Sequence, residues 1–325
     1  MTTAVTRRRF VVLAGGAAAF VASPVRAATY PSRTIVLVVP YSTGGGADSI
    51  ARVIAPKLAS ILKGSVVVEN KPGASAIIGS EFVAHAEPDG YTLLLTQDEI
   101  AINPAIYQNL PYNTVQDFAP IARLVSFPSF LAVKADSPIK SVHDLVAYTR
   151  SHPDKANFSS SGSTFWLLNA LFAQKTGVKL TRVTYKGGGA MVLAVVTGEV
   201  LYTFAGAGPI SGPAQAGTIR ILATTGEHRQ SGFPDVPTMA EAGVPGIEIE
   251  SWSGLWAPAK TPPAIIEALT NAVLKALAMP DVKAQMQKLQ VAIAGDTPSA
   301  FKRSVISEIA LWTQVAKRAH ITATL

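Results

Sequence analysis

An apolar run, a turn with three consecutive glycines and a helix start follow one another between residues 35 and 52. Residues 35–39 predict a buried strand, residues 44–46 a tight turn, and Asp48 lies in the first turn of the helix that follows. A helix start exposes unpaired backbone N–H groups and the positive end of the helix dipole, and glycine lets an anion approach that backbone closely. The segment therefore predicts an anion site at this turn.

Strand and helix patterns alternate along the rest of the chain, which is typical of an α/β fold. We predict strands at residues 35–39, 65–69, 92–96, 129–133, 157–159, 180–183, 201–204, 219–224 and 248–251. We predict helices at residues 48–62, 77–85, 142–151, 166–175, 190–197, 264–278, 281–289 and 299–319.

The pattern changes at two places, which predicts two lobes. Near residues 126–129 a proline-rich stretch is replaced by a new series of strands and helices, and near residues 251–258 that series ends and three helices close the chain. We predict that residues 28–127 plus 252–325 form one lobe and that residues 128–251 form a second, inserted lobe. Two hinge crossings would then enclose a central cleft.

Residues 1–27 have the features of an export signal. Arg7, Arg8 and Arg9 precede an uncharged apolar run, and the segment ends with Val25 and Ala27 as small residues at positions −3 and −1. The arginines also resemble a twin-arginine signal. Because the apolar run is shorter than the ~20 residues of a membrane span, we expect a cleaved leader and a periplasmic mature protein.

Charge and composition exclude several classes of function. Removing the four leader arginines from the 28 basic residues leaves 24 against 21 acidic residues, a balance of +3. The remaining lysines and arginines are scattered, so no nucleic-acid partner is expected. The chain has no cysteine, which excludes disulfides and thiolate chemistry, and its five histidines show no metal-ligand spacing. We expect no metal and no cofactor, and a monomer.

Two further loops repeat the pattern of a strand followed by a polar turn and a helix. Residues 159–164 carry five hydroxyl groups and Gly162, and residues 185–189 carry Lys186 and three glycines. Each loop alone is commonly a helix cap or a turn. Loops at the carboxyl ends of parallel strands face one crevice, so together they predict an anion-binding cleft.

Enzyme functions have weaker support. The glycine turn partly imitates a dinucleotide fingerprint, but Ser49 stands where the third glycine would be, and no Gly-Lys-Ser/Thr follows as in a P-loop. There is also no Gly-x-Ser-x-Gly motif. An exported nicotinamide-dependent oxidoreductase stays as the alternative to a non-catalytic binding protein.

Ordered motifs across nearly the whole mature chain resemble the extracytoplasmic receptors of tripartite tricarboxylate transporters, the Bug-type solute-binding proteins. They are Pro40-Tyr41-x-x-Gly44-Gly45-x-x-Asp48, Val68-Glu69-Asn70-Lys71-Pro72-Gly73, Pro88-Asp89-Gly90-Tyr91-Thr92, Asn103-Pro104, Ser160-Ser161-Gly162, Tyr185-Lys186-Gly187, Phe233-Pro234-Asp235-Val236-Pro237-Thr238 and Trp252-x-Gly254-Leu255-x-Ala257-Pro258. The resemblance implies a type II periplasmic-binding-protein fold whose two α/β lobes close on a carboxylate-bearing solute, without catalysis. It also implies delivery of the solute to integral membrane transporter subunits.

Applied to this chain, the resemblance implies that residues 41–46 and 160–164 bind carboxylate oxygens from opposite lobes. The candidate ligand-binding residues are Tyr41, Ser42, Thr43, Gly44, Gly45, Asp48, Thr96, Gln97, Asp98, Ser160, Ser161, Gly162, Ser163, Thr164, Phe165, Tyr185, Lys186, Gly187, Ala205 and Gly206. For two of them an alternative role stays open. Asp48 would fasten its loop instead of touching the ligand, and Tyr41 would cover the core of its lobe.

Three segments depart from the family pattern and concern the identity of the ligand. They are residues 97–99, with two acids, residues 165–166, with Phe and Trp, and residues 205–206, with Ala and Gly. Acids near a carboxylate site repel unless they meet an ammonium or hydroxyl group. We therefore expect a ligand with an apolar or aromatic body, or with an added amino or hydroxyl group, instead of plain citrate. A sensory or scavenging receptor with the same cleft is an open alternative to a transport receptor.

Overall fold

The computed structural model describes residues 1–2 and 30–324, so the predicted export signal lies almost wholly outside the described residues. The strands within this part of the chain are β1 (Ile35–Val39), β2 (Val66–Asn70), β3 (Thr92–Gln97), β4 (Phe118–Lys134), β5 (Asn157–Ser160), β6 (Thr181–Thr184), β7 (Tyr202–Gly206), β8 (Ile219–Thr224), β9 (Glu250–Pro258) and β10 (Ala292–Ile293). The α-helices are α1 (Gly46–Leu62), α2 (Ile77–Ala84), α3 (Glu99–Ile106), α4 (Val142–Ser151), α5 (Thr164–Thr176), α6 (Gly188–Thr197), α7 (Ala207–Gln215), α8 (Pro263–Ala278), α9 (Pro280–Lys288) and α10 (Pro298–Ala319).

The strands form a mixed sheet with the order β2-β1-β3-β9-β4-β7-β5-β6, and β8 and β10 also pair with β4. In the first half of the sheet β1 runs parallel to β2 and β3, and in the second half β5 runs parallel to β6 and β7. The long strand β4 joins the halves, since Phe118 to Pro128 pair with β9 and Ser129 to Lys134 pair with β7 or β8. The predicted α/β fold is confirmed.

Both faces of the sheet are covered by helices. In β1, Ile35 and Leu37 pack into a core cluster with α1 and α8, whereas Val38 points to the opposite face and packs with Trp256 and Phe301. This alternation follows from the two-residue period of a strand. The second half of the sheet has its own two core clusters, on the side of α5 and on the side of α6.

Helices α3 and α10 connect the cores of the two halves. Ile102 of α3 and Trp312 of α10 are buried in the cluster that also contains Phe172 of α5. Gln174 Nε2 of α5 donates to the backbone oxygen of Val315 at 2.8 Å. The last helix, assigned to the first lobe from the sequence, therefore stabilises both halves, and the lobe boundaries at residues 127/128 and 251/252 stay a prediction.

No helix within residues 30–324 combines the length and the apolar composition needed to cross a bilayer.

Candidate ligand-binding site

A cavity of about 620 Å³ lies between the two halves of the sheet. One wall is the start of α1, with residues 44–46 and Ser49, and the facing wall is the starts of α6 and α7, with residues 188–189 and 206–208. The end of α9 and the turn after it, residues 288–291, close a third side. Three helix N-termini thus converge on one space, and each contributes unpaired backbone N–H groups and a positive dipole end.

The walls of this cavity are built largely from glycine. A Cβ atom added at Gly44, Gly46, Gly189, Gly206 or Gly208 would meet nothing within 4 Å. Gly44 also has a φ of 83°, which disfavours any side chain. The missing side chains leave the backbone of the walls open to a ligand, which suits recognition of an anion by N–H groups.

Asp48 holds the glycine turn in place. Its Oδ2 accepts hydrogen bonds from the backbone N–H of Gly44 and from Arg52 Nε, both at 2.9 Å, and its Oδ1 accepts from Asn70 Nδ2 at 3.0 Å. Burial by itself would raise the pKa of Asp48, but these three donors outweigh it and lower the pKa below 3.8. Asp48 does not line the cavity, and these hydrogen bonds favour the fastening role that the sequence left open.

Asn70, at the end of β2, is a positioning residue that the site prediction missed. Besides Asp48, its Nδ2 donates to the backbone oxygen of Tyr41 at 3.0 Å, and its Oδ1 accepts from Thr43 Oγ1 at 3.2 Å. The sequence feature that could have identified Asn70 is its position at the end of a strand that pairs directly with β1.

Tyr41 connects the loop before α1 to the start of α3. Its hydroxyl donates to Glu99 Oε2 at 2.7 Å, accepts from the backbone N–H of Gln97 at 3.0 Å and lies 3.2 Å from Thr96 Oγ1. Burial, and then the negative charge of Glu99, raise the pKa of Tyr41 well above 10.0. The ring also packs on the core of the first half, and Tyr41 does not line the 620 Å³ cavity, which favours the covering role.

The serine-rich loop before α5 contacts α3 instead of the cavity. Ser163 Oγ donates to Asn103 Oδ1 at 2.7 Å, and Thr164 Oγ1 donates to Asp98 Oδ1 at 3.0 Å. A Cβ at Gly162 would lie 3.4 Å from Glu99 Oε1. These hydroxyls are used to join the two halves, and residues 188–189 and 206–208 occupy the wall that faces the glycine turn.

Two acids lie at this junction. Burial raises the pKa of Asp98 well above 3.8, with a further contribution from the charge of Glu99, and burial also raises the pKa of Glu99 above 4.5. Within residues 30–324 neither carboxylate forms an ion pair. The unusual acids at residues 98–99 are therefore held in the neutral form more readily than ordinary carboxyl groups.

The remaining predicted residues occupy several positions. Gly44, Gly45, Gln97 and Gly206 line the cavity. Those outside its lining are Tyr41, Ser42, Thr43, Asp48, Thr96, Asp98, Ser160, Ser161, Gly162, Ser163, Thr164, Phe165, Tyr185, Lys186, Gly187 and Ala205. Of these, Ser160 and Ala205 are fully buried, and Phe165 of α5 packs on the core of the second half.

A contact between the halves closes one side of the cavity. The hydroxyl of Ser211 in α7 lies 2.7 Å from Oε1 of Gln290, in the turn after α9. Both residues line the cavity. Neither was predicted, because residues 289–291 carry no motif and reach the site only through the packing of α9.

No group of three or more histidine, aspartate or glutamate side chains in the described residues has an arrangement that could hold a metal ion. The cavity offers a ligand backbone N–H groups, the polar side chains of Ser49, Gln97, Ser211 and Gln290, and Lys288.

Comparison with known proteins gives a consistent result. The sequence profile of the tripartite tricarboxylate transporter family receptor matches residues 50–319. A relative from Pseudomonas sp. (strain P51), described as the UPF0065 protein in the tcbD-tcbE intergenic region, is 35% identical over 98% of this chain and 96% of its own length.

Two solved structures are also similar over nearly their whole length. The R. palustris protein Rpa4515 with adipate has a TM-score of 0.83 at 35% identity, and the match covers 91% of this chain and 100% of that protein. MatC from Rhodopseudomonas palustris with bound malate has a TM-score of 0.80 at 31% identity, covering 88% of this chain and 99% of that protein.

Proposed function

Because this chain belongs to the tripartite tricarboxylate transporter receptor family, whose members are periplasmic solute-binding proteins, we propose that it captures a small carboxylate-bearing acid for transport. The acid would occupy the cavity between the starts of α1, α6 and α7. The loaded protein would then deliver it to integral membrane transporter subunits. The leader-like residues 1–27 support export to the periplasm.

The convergence of three helix N-termini on one glycine-lined cavity carries this proposal. Backbone N–H groups hold both oxygens of a carboxylate without burying an unpaired cation. Lys288, at the end of α9, is the single basic side chain among the lining residues described. A dicarboxylate could place one carboxylate at the α1 wall and the other at the α6–α7 wall.

The lining also supports a restriction on the ligand. Apart from its polar groups, the cavity is walled by Ile50, Phe127, Leu289 and Val291. We propose that the solute has an apolar or aromatic body, or one added amino or hydroxyl group. Citrate fits poorly, because its three carboxylates would face one lysine. The adipate bound by the R. palustris neighbour is an apolar-bodied acid of this kind.

Mass spectrometry of the solute released from the purified protein tests the proposal directly. We expect an organic acid with at least one carboxylate, and a thermal-shift panel of such acids should identify the same class. Adipate, malate, citrate, benzoate and aspartate are suitable members of the panel. Release of a nicotinamide nucleotide, or stabilisation by no carboxylate in the panel, would contradict the proposed function. Stabilisation by citrate alone would contradict the restriction on the ligand.

Transport is distinguished from sensing by uptake. If the chain serves a transporter, deletion of its gene should abolish uptake of the identified acid by whole cells, whereas a sensory receptor would change gene expression and leave constitutive uptake intact.

A further inference from the structure

We propose a second ligand site in the second half of the sheet, between α5, β6 and the end of α10, for a small apolar monocarboxylate that also carries a hydrogen-bond donor. The site is a cavity of about 370 Å³. This is within the size range of small-molecule pockets. It shares no lining residue with the 620 Å³ cavity and does not depend on the function proposed for it.

Most of the wall of this second cavity is apolar. Ala170 and Ala173 of α5, Val178 and Leu180 before β6, and Ile321 after α10 line it. Such a wall accepts an aliphatic or aromatic body and excludes a strongly hydrated one.

Arg182 supplies the positive charge of the site. Its guanidinium lies 4.1 Å from the centre of the Trp166 ring, and its Nη2 donates to the backbone oxygen of Gly162 at 3.3 Å. Its Nε is buried and has no hydrogen-bond partner among the described residues, and no ion pair with Asp or Glu is formed there. Burial lowers the pKa of Arg182, as expected for a cation without a nearby anion. A carboxylate would accept from Nε and balance the charge.

Asn169 supplies the second polar group. The residue is fully buried, and its Nδ2 donates to the backbone oxygen of Phe165 at 2.7 Å, which sets the orientation of the amide. Its Oδ1 is left buried without a partner in residues 30–324. Buried polar atoms are normally paired, so an unpaired acceptor and an unpaired donor on two residues that line the same cavity indicate a ligand that satisfies both. The ligand therefore needs an O–H or N–H group as well as its carboxylate.

Titration calorimetry with 4-hydroxybenzoate, benzoate and 3-methylbutanoate, each in the presence of saturating adipate, tests this site. The first acid has both groups that the site requires, whereas the other two lack the donor. We expect saturable binding that adipate does not displace, with 4-hydroxybenzoate the tightest of the three. Absence of saturable binding for all three acids, or displacement by adipate, would overturn the proposal.

Matched variants assign the binding to the cavity. Arg182→Gln should weaken binding at least about tenfold, because it removes a charge-assisted hydrogen bond. Arg150→Gln is the control, since Arg150 also donates to a backbone oxygen, that of Thr176, but lines neither cavity. Equal affinity in the two variants would reject the site. Should Arg182→Gln fail to fold, Ala173→Phe fills the same cavity with all polar groups intact, and unchanged binding in that variant would reject the site as well.

Discussion

The hydroxyl of Tyr41 donates to the carboxylate of Glu99 across 2.7 Å, and this bond joins the loop before α1 to the first turn of α3. The other oxygen of Glu99 lies 3.4 Å from the position of a Cβ on Gly162, in the loop before α5. Three segments that are distant in sequence thus meet at one carboxyl group. Because Tyr41 lies three residues before Gly44, the junction links the loop of the glycine turn to α3 and to the loop before α5.

Removal of the Tyr41 hydroxyl should destabilise the protein. Tyr41→Phe leaves Glu99, Gln97 N–H and Thr96 without this partner, and we expect the free energy of unfolding to fall by about 1–3 kcal/mol in urea titrations. Tyr202→Phe is the matched control, because Tyr202 is fully buried and its hydroxyl has no partner within residues 30–324. Equal losses in the two variants would contradict the role given to Tyr41.

Glu99 should make stability depend on pH above the normal carboxyl range. Because burial raises its pKa above 4.5, the folded protein holds this proton more tightly than the unfolded chain does. The contribution of this proton to the free energy of unfolding is therefore fully present below pH 4.5 and is lost as the pH rises through the raised pKa. Glu99→Gln keeps an acceptor for Tyr41 and removes the titration.

The stability of Glu99→Gln relative to the unsubstituted protein should therefore increase with pH in that range. The melting temperatures of both proteins, measured between about pH 4, near the ordinary pKa of a carboxyl group, and about pH 8, give the difference in stability. A difference that is constant over this range would show that Glu99 titrates normally.

Asp48→Asn should loosen the glycine turn. The substitution replaces one carboxylate oxygen by an amide NH2 group, which then faces the N–H donors that Asp48 accepts from. We expect the free energy of unfolding to fall by about 1–3 kcal/mol and ligand binding to weaken. Hydrogen bonding lowers the pKa of Asp48 below 3.8. The contribution of its carboxylate to the free energy of unfolding is therefore present above pH 3.8 and is lost as the pH falls through the lowered pKa.

Asp144→Asn is the control for Asp48→Asn. Asp144 is also the third residue of its helix and also has a lowered pKa, but it lies in α4, away from the cavity. Binding that is weakened equally by both substitutions would contradict the fastening role. Calorimetric titration with the released acid gives the comparison.

Ser211→Ala should weaken the contact between the halves at Gln290. We expect ligand to dissociate faster by roughly 2- to 10-fold, with little change in the association rate, because affinity changes at one interface are mostly changes in dissociation. Ser307→Ala, which removes a hydroxyl that bonds only within α10, is the control for stopped-flow measurements. Unchanged dissociation in Ser211→Ala would show that the contact does not hold the halves together.

Local patterns predicted the first strand and helix well, because an apolar run, a glycine turn and an amphipathic segment are each set by neighbouring residues. Helix α7 was missed, since Gly208, Pro209, Gly212 and Pro213 fall within its nine residues. Pro209 lies in the first turn, where proline is tolerated, and tertiary packing overrides the rest. Helix α3 was missed for a related reason, because Pro104 lies inside it.

The lining of the cavity was predicted only in part, because it depends on which strands become neighbours. The glycine turn, residues 188–189 of the third loop and Gly206 were identified from sequence and line the cavity, whereas Gly208 lies in α7, a helix that was not predicted. The serine-rich loop was predicted to face the cavity because hydroxyls before a helix suit an anion. Its Ser163 bonds to Asn103 of α3, and its Thr164 bonds to Asp98, directly before α3, a helix that was not predicted.

The central claim is that the acid binds in the cavity between α1, α6 and α7, and one pair of variants tests it. Gly206→Val adds a side chain to the cavity wall, whereas Gly212→Val adds one nearby, outside the residues that line the cavity. Both glycines have room for a side chain, since an added Cβ would meet nothing within 4 Å and neither residue has a positive φ. Calorimetric titration with the released acid should show binding abolished in Gly206→Val and retained in Gly212→Val. Equal affinity in the two variants would contradict the account.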